Sequence, residues 1–142
     1  MSQDIIFKPI GIIKTPFKTP DDLKVPPFRP ESPYNNMEIT GVIEVFEEYC
    51  EGIANIEPGT QGLVLFYLDK SPGYKLTTIS HRTNKEVGVF STRSPHRPNG
   101  IGVTIVNFIS VEKCKIKFQG VDMLDDSPLL DIKPYRSKSP RD

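Results

Sequence analysis

The stretch Phe90-Ser91-Thr92-Arg93-Ser94-Pro95-His96-Arg97-Pro98-Asn99-Gly100-Ile101-Gly102 concentrates more polar chemistry than any other part of the chain. Arg93 and Arg97 bring planar donor forks suited to carboxylates or phosphates, Thr92 and Ser94 add hydroxyls, and Pro95 and Pro98 limit backbone movement. Arg97-Pro98-Asn99-Gly100 has the make-up of a tight turn with proline at its second position. Two readings stand: a loop preorganised for an anionic ligand, or a stiff surface turn whose arginine stems cover apolar surface. The second polar concentration, Val121 to Tyr135 (VDMLDDSPLLDIKPY), sets Asp122, Asp125, Asp126 and Asp131 beside Lys133 and Tyr135. Its carboxylates would accept from ammonium groups or ribose hydroxyls. The competing reading is a solvated turn with an Asp131/Lys133 surface pair worth under ~1 kcal/mol.

Other chemistries find little support. Gly100-Ile101-Gly102 lacks the third glycine of a dinucleotide fingerprint, and the VTIV that follows reads as strand where the fingerprint needs a helix. His81 and His96 have no carboxylate or cysteine at ligand spacing, so no metal is expected. Ser94 lacks the G-x-S-x-G elbow of a serine nucleophile. Cys50 and Cys114, 64 positions apart and outside any CxxC arrangement, suggest free thiols.

The elements that must position these loops are strands. Fifteen Ile, ten Val and nine Thr stand beside a single alanine, Ala54, and β-branched residues fit a pleated surface better than a helix. Strands are expected at Ile5–Ile13, where Pro9 forces an edge or a bulge, and at Ile39–Phe46, whose apolar positions alternate. The continuous run GLVLFYL at Gly62–Leu68 predicts a central strand. Val87–Phe90, Ile101–Val111, Lys113–Val121 and Leu129–Ile132 complete the series. Glu47–Ile53 is the one plausible helical turn, and Glu57-Pro58-Gly59-Thr60 a reverse turn. Thr15 to Pro33 carries six prolines and reads as a long functional loop that Phe17 and Phe28 could anchor.

Seven or so strands with irregular connections, and no run of alternating helices, predict an all-β fold: a small single-domain barrel over residues 1–136, followed by a polar tail at 137–142. At 142 residues such a domain has a sizeable core. The longest apolar run is six residues, against the ~20 of a membrane helix. Met1–Asp4 leads straight into patterned sequence without a signal-like region, so a soluble cytoplasmic protein is expected. The zero net charge hides a division. Eight acids and no Lys or Arg lie between Arg29 and Lys70, whereas Lys70 to Arg97 holds six bases against Glu86. Clustered bases of this kind suit a polyanion such as RNA, although a mixed solvated surface fits the same numbers.

PIGII near the start, STRSPHRPNGIG in the middle and VDMLDDSPLLDIKPY near the end together resemble the TsaA-like, TrmO-type family over nearly the whole chain. The resemblance implies a small β-barrel, a homodimer, and S-adenosylmethionine (SAM) bound near the subunit interface. It also implies methylation of the N6 nitrogen of threonylcarbamoyladenosine beside the tRNA anticodon. Residue by residue it places cofactor contacts at Pro27, Phe28 and Arg29, at Asp69 and Lys70, at Arg93 and Val103, and at Asp122, Met123, Leu124 and Asp125. Arg97, Asn99, Lys133 and Tyr135 are the candidates for substrate contact. The chain departs from the family pattern at Phe28, at Asp69 where relatives often carry His, at Gly100 where Pro is common, and at Asp126-Ser127 in place of Gly-Thr. Some members carry a further C-terminal domain, and this chain reads as the barrel alone. Methyl transfer from a sulfonium is an in-line displacement that needs no metal, so positioning supplies most of the rate. A base, if one is used, is Asp69 or Tyr135, and the sequence does not choose. Two alternatives are a noncatalytic RNA-binding barrel and a SAM-dependent methyltransferase of a small metabolite.

Overall fold

The computed structural model describes residues 3–23 and 39–136. Six antiparallel strands close a barrel: β1 (Gly11–Lys14), β2 (Thr40–Val45), β3 (Gln61–Tyr67), β6 (Ile101–Glu112), β7 (Lys115–Gln119) and β8 (Ser127–Pro134). Their order around it is β1-β2-β7-β6-β3-β8, with β8 pairing back onto β1. Closure leaves the barrel no strand unpaired along a whole side, which answers the aggregation hazard of an open sheet. Strands β4 (Thr77–Ile79) and β5 (Glu86–Gly88) form a separate two-stranded hairpin within the long β3–β6 connection.

The all-β expectation holds, and period-two burial along the strands explains the core. Val64 and Phe66 of β3, Thr104, Val106 and Phe108 of β6, and Ile116 and Phe118 of β7 all point inward. Gly102 on β6 faces Phe66 across the ladder, and a Cβ there would lie 2.5 Å from the Phe66 ring. Its glycine therefore serves packing, and a dinucleotide loop is excluded at this position. Phe17, 2 % exposed, enters the core from the loop after β1, and Val121 and Met123 enter it from the loop after β7.

Several boundaries differ from the sequence expectation. β1 begins only at Gly11, and Ile5, Ile6 and Phe7 lie exposed outside the ladder, because Pro9 has no N–H to extend the pairing. Val87–Phe90 divides between β5 and a 3-10 turn at Val89–Ser91. Glu47–Ile53 is helical as expected, in 3-10 form, and Pro20–Leu23 adds a 3-10 turn inside the proline-rich loop. The cysteines are not free thiols. Cys50 and Cys114 form a disulfide with a Cα–Cα distance of 5.3 Å. The antiparallel pairing of Glu44 with Lys115 brings the end of β2 to the β6–β7 turn, where Val45 N–H donates to Cys114 O at 2.9 Å. That register, invisible in the cysteine spacing, brings the two thiols together.

The barrel's two ends divide the chain's chemistry. The loops after β1, β3 and β7 all leave from one end, called here the upper end, because each of those strands ends there. The Glu47–Ile53 turn, the β6–β7 turn with its disulfide and the exit of β8 occupy the lower end.

Candidate functional site

The site grows from a mismatch in strand length. β6 pairs with β3 through residues 101–107 and with β7 only from Asn107 onward, so its first six residues lack a barrel partner on the β7 side. The two chemically dense loops gather along this open stretch. Arg93 donates through Nη2 to the Val103 carbonyl, and the next residue, Thr104, donates its hydroxyl to Asp122 Oδ1. Arg93 lies close enough for its charge to act on the Asp122 carboxylate. Two loops remote in sequence thus meet across two consecutive residues of one strand. Burial is the largest influence on Asp122 and pushes its pKa above the ordinary 3.8, while the Thr104 hydrogen bond and the Arg93 charge oppose without cancelling it. Arg93 itself is exposed and carries five N–H donors, more than one carbonyl can use.

Beside this pair, Asp125 is enclosed by cations. It is 7 % exposed, accepts from Thr15 N–H at 2.9 Å and from Lys18 Nζ at 2.6 Å, and has Lys14 Nζ 3.6 Å away. Desolvation is the largest influence and pushes its carboxyl upward. The Lys18 and Thr15 hydrogen bonds and the charges of both lysines together outweigh it and hold the pKa below 3.8. Lys14 also pairs with Asp126, and that hydrogen bond is the main reason its pKa rises above 10.5. Lys70 Nζ donates to the Asp125 carbonyl at 2.6 Å. These contacts pin the β7–β8 loop to the loops after β1 and β3. Asp126 adopts φ 67°, the left-handed conformation that Asp tolerates better than most residues.

The structure sorts the sequence candidates. Asp69, Lys70, Arg93, Val103, Asp122 and Asp125 share the upper end. Met123 is 1 % exposed and its side chain belongs to the core, so a ligand could reach only its backbone, whose carbonyl already accepts from Thr15 Oγ1 at 2.9 Å. Leu124 is partly buried against the core, and its carbonyl accepts from Ser127 Oγ. Arg97 turns inward on its own loop, donating to Thr92 O at 2.7 Å and to Ser94 O at 3.2 Å, with its guanidinium 5.8 Å from the Phe90 ring. It stiffens the loop that carries Arg93. Asn99 is exposed at φ 69° in the turn before β6. Lys133 and Tyr135 do not join the site within one chain. Lys133 lies on the outer face of β8 in an ion pair with Asp131 at 3.0 Å, and Tyr135 N–H donates to Gln61 O at the lower end. The seven residues of β3 put Tyr135 about 20 Å from Asp69 along the strand, leaving Asp69 as the candidate base on the site's side. Pro27, Phe28 and Arg29 fall outside the described residues.

Sequence reasoning missed Thr104, Thr15, Lys14 and Lys18. Thr104 had one usable signal: a hydroxyl at an inward position of a strand whose other inward residues, Val106 and Phe108, are apolar. The lysines gave none, since their role depends on the closure of β1 onto β8.

The chain is similar to known proteins over most of its length. The family model of the tRNA-methyltransferase O N-terminal domain matches residues 12–140. An S-adenosyl-L-methionine-binding protein of Archaeoglobus fulgidus is 38 % identical over 133 residues, covering 92 % of this chain and 89 % of that protein. A mouse tRNA (adenine(37)-N6)-methyltransferase is 40 % identical over 94 residues, 64 % of this chain and 22 % of that protein. The crystal structure of TrmO from Pseudomonas aeruginosa superposes with a TM-score of 0.74 at 28 % identity, covering 94 % of this chain and 57 % of that one. This chain therefore spans a little over half the length of that solved relative. With a match over more than nine-tenths of its residues, the chain belongs to the tRNA-methyltransferase O N-terminal domain family.

Proposed function

We propose that this protein transfers the methyl group of SAM to the N6 nitrogen of an adenosine in tRNA, the one beside the anticodon that bears a threonylcarbamoyl group. The observation that carries the reading is the meeting of Arg93 and Asp122 over Val103 and Thr104 on the open edge of β6. The donor set fits the cofactor. An exposed guanidinium suits the carboxylate of its methionine part, and a desolvated carboxylate suits its ammonium or ribose hydroxyls. When bound, SAM supplies an electrophilic methyl group and needs no metal. The residues' task is then alignment and exclusion of water. Arg93 is held by a loop that Arg97 and two prolines stiffen, and Asp122 is oriented by the Thr104 hydroxyl. Asp69 has the chemistry to accept the acceptor's N–H proton from the same end.

A homodimer fits the same geometry. The outer face of β3 and β6 sets Tyr67 opposite Ile101, Leu65 opposite Val103 and Leu63 opposite Ile105, an apolar stripe beside the site. Such a stripe is unusual on a surface facing water alone. A tRNA substrate implies action in the cytoplasm; among the described residues no helix is long and apolar enough to cross a membrane.

Calorimetry with SAM and transfer of a labelled methyl group to bulk tRNA test the reading, with digestion and mass spectrometry of nucleosides naming the acceptor. Incorporation at N6 of threonylcarbamoyladenosine is expected. Salt-sensitive tRNA binding without incorporation indicates a noncatalytic RNA-binding barrel, and turnover indifferent to tRNA indicates a small-metabolite enzyme. No SAM binding at millimolar concentration would end the proposal.

A further inference from the structure

The β4–β5 hairpin has little reason of its own to exist. It pairs only three residues with three, and an isolated two-stranded hairpin is marginally stable in water. It joins no barrel strand, it exposes Ile79, and its flanks expose Leu76 and two aromatic rings, Tyr74 at 60 % and Phe90 at 72 %. Arg97 lies over the Phe90 ring, yet most of the ring's surface still faces water. Tyr74, Lys75, Thr78, Ser94 and His96 line a cleft of about 370 Å³ at the hairpin's base, next in sequence to the Arg93 loop. The hairpin's turn is cationic. Arg82 and Lys85 are exposed around Asn84, whose φ of 59° shapes the turn, and Ser80 N–H closes it onto Lys85 O at 2.8 Å. The hairpin's one acid, Glu86, is engaged by the Thr77 hydroxyl across the ladder. The Glu47–Ile53 turn at the barrel's other end carries Glu47, Glu48 and Glu51, so its charge would repel a polyanion there.

An exposed ring lining a cleft, with cations set further out, is an arrangement that binds unpaired nucleotides: a base stacks on the ring and phosphates pair with the cations. We infer that the β4–β5 hairpin is the RNA-gripping arm of the site, with Tyr74 stacking an unpaired base in the cleft and Arg82 and Lys85 holding the flanking phosphates. The inference rests on the tRNA reading above. It leaves Arg93 and Asp122 to the cofactor and gives the acceptor strand a separate foothold.

The experiment measures tRNA binding by fluorescence anisotropy across a salt series, beside SAM calorimetry and methyl incorporation, for the full-length chain. The double variant Arg82→Glu/Lys85→Glu is expected to weaken tRNA binding roughly tenfold or more and to reduce the log–log salt slope by about 1.4, the value for two single-strand phosphate contacts. Tyr74→Ala is expected to weaken it roughly tenfold, and Tyr74→Phe, which keeps the ring, to restore it. SAM affinity stays within twofold in all three and so reports an intact fold. Lys117→Glu, the same reversal at a single site on the outer face of β7, leaves tRNA binding unchanged. Hairpin variants that bind tRNA like the wild type would overturn the inference and leave the exposed Leu76–Ile79 surface to a protein partner, as would a wild type that binds no tRNA. Wild-type binding that depends on the hairpin without methyl incorporation sinks the enzymatic reading and keeps the hairpin.

Discussion

Opening the Cys50–Cys114 bond separates what holds the barrel together from what makes its site. The bond spans 64 residues of sequence and takes in β3, the hairpin and β6, so breaking it frees a large part of the unfolded chain. The chain-entropy relation assigns about 4 kcal/mol to a closed loop of that length at 25 °C. A domain of this size loses about 3–5 °C of melting temperature per kcal/mol, so the fall should be roughly 10–20 °C. The assay compares the untreated protein, the reduced protein and a Cys50→Ser/Cys114→Ser variant in thermal melts followed by tyrosine fluorescence, with thiol alkylation reporting the bond's state. SAM calorimetry is run well below both transitions. Because the bond lies at the lower end and Arg93 and Asp122 at the upper, cofactor affinity should hold within twofold while the melting temperature drops. Two results refute this reasoning. Oxidised protein melting with the serine variant would show that the bond constrains nothing, and a tenfold loss of SAM affinity in a folded variant would show that the ends are coupled. Disulfides are uncommon in the reducing cytosol of mesophiles and frequent in the intracellular proteins of hyperthermophiles, so alkylation of protein taken directly from cells also reports on the host.

Arg93→Ala removes the exposed guanidinium and should weaken SAM binding roughly 10- to 100-fold by calorimetry, the range of one charge-assisted hydrogen bond; unchanged affinity would remove Arg93 from the site. Asp122, with its pKa above 3.8, should release SAM as acidification passes through that raised value, and Thr104→Val, which deletes an interaction favouring the anion, should move the titration to still higher pH. An affinity that does not fall on acidification while the protein stays folded would contradict this. Asp125 gives the opposite sign for folding: its depressed pKa contributes stability that is present above 3.8 and lost as pH falls through its folded value. Asp125→Asn should therefore flatten the acid limb of urea-unfolding stability and cost about 2 kcal/mol at pH 7. Gly102→Ala pushes a methyl group into the buried Phe66 ring and should destabilise by about 1–3 kcal/mol in urea, and a neutral result would mean that the ring moves aside freely.

How far the sequence could be read depends on the range of the interaction concerned. Alternation along Lys115–Gln119 and Thr40–Val45 gave the inward residues correctly, because the pleat acts locally. Phe17, one of two aromatics that interrupt the proline-rich loop, could be picked out as an anchor, and it is buried. Asp126 takes the left-handed conformation, at the position where the resemblance implied Gly-Thr. Pairing register lay beyond reach. The disulfide, the enclosure of Asp125 by Lys14 and Lys18, and the distance of Tyr135 from Asp69 all follow from which strand lies beside which. VDMLDDSPLLDIKPY shows the difference within fifteen residues. Its acidic start turns over the site, while β8 carries its LDIKPY end along the barrel wall to the other side.

The unequal lengths of β6 and β7 explain why the proposed site sits where it does. A closed barrel satisfies its strands' backbone groups by pairing, and so offers a ligand little besides side chains. Where β6 runs past the end of β7, backbone polar groups need other partners, and the Val103 carbonyl finds one in Arg93. Thr104, at the adjacent inward position, reaches Asp122 in the chain that continues from β7. The strand that forms the barrel wall thereby fixes a cation and an anion one residue apart, and neither depends on a long mobile loop for its position. Lengthening β7 so that it pairs along the whole of β6 would make a more regular barrel and would occupy the stretch of backbone on which the two loops meet.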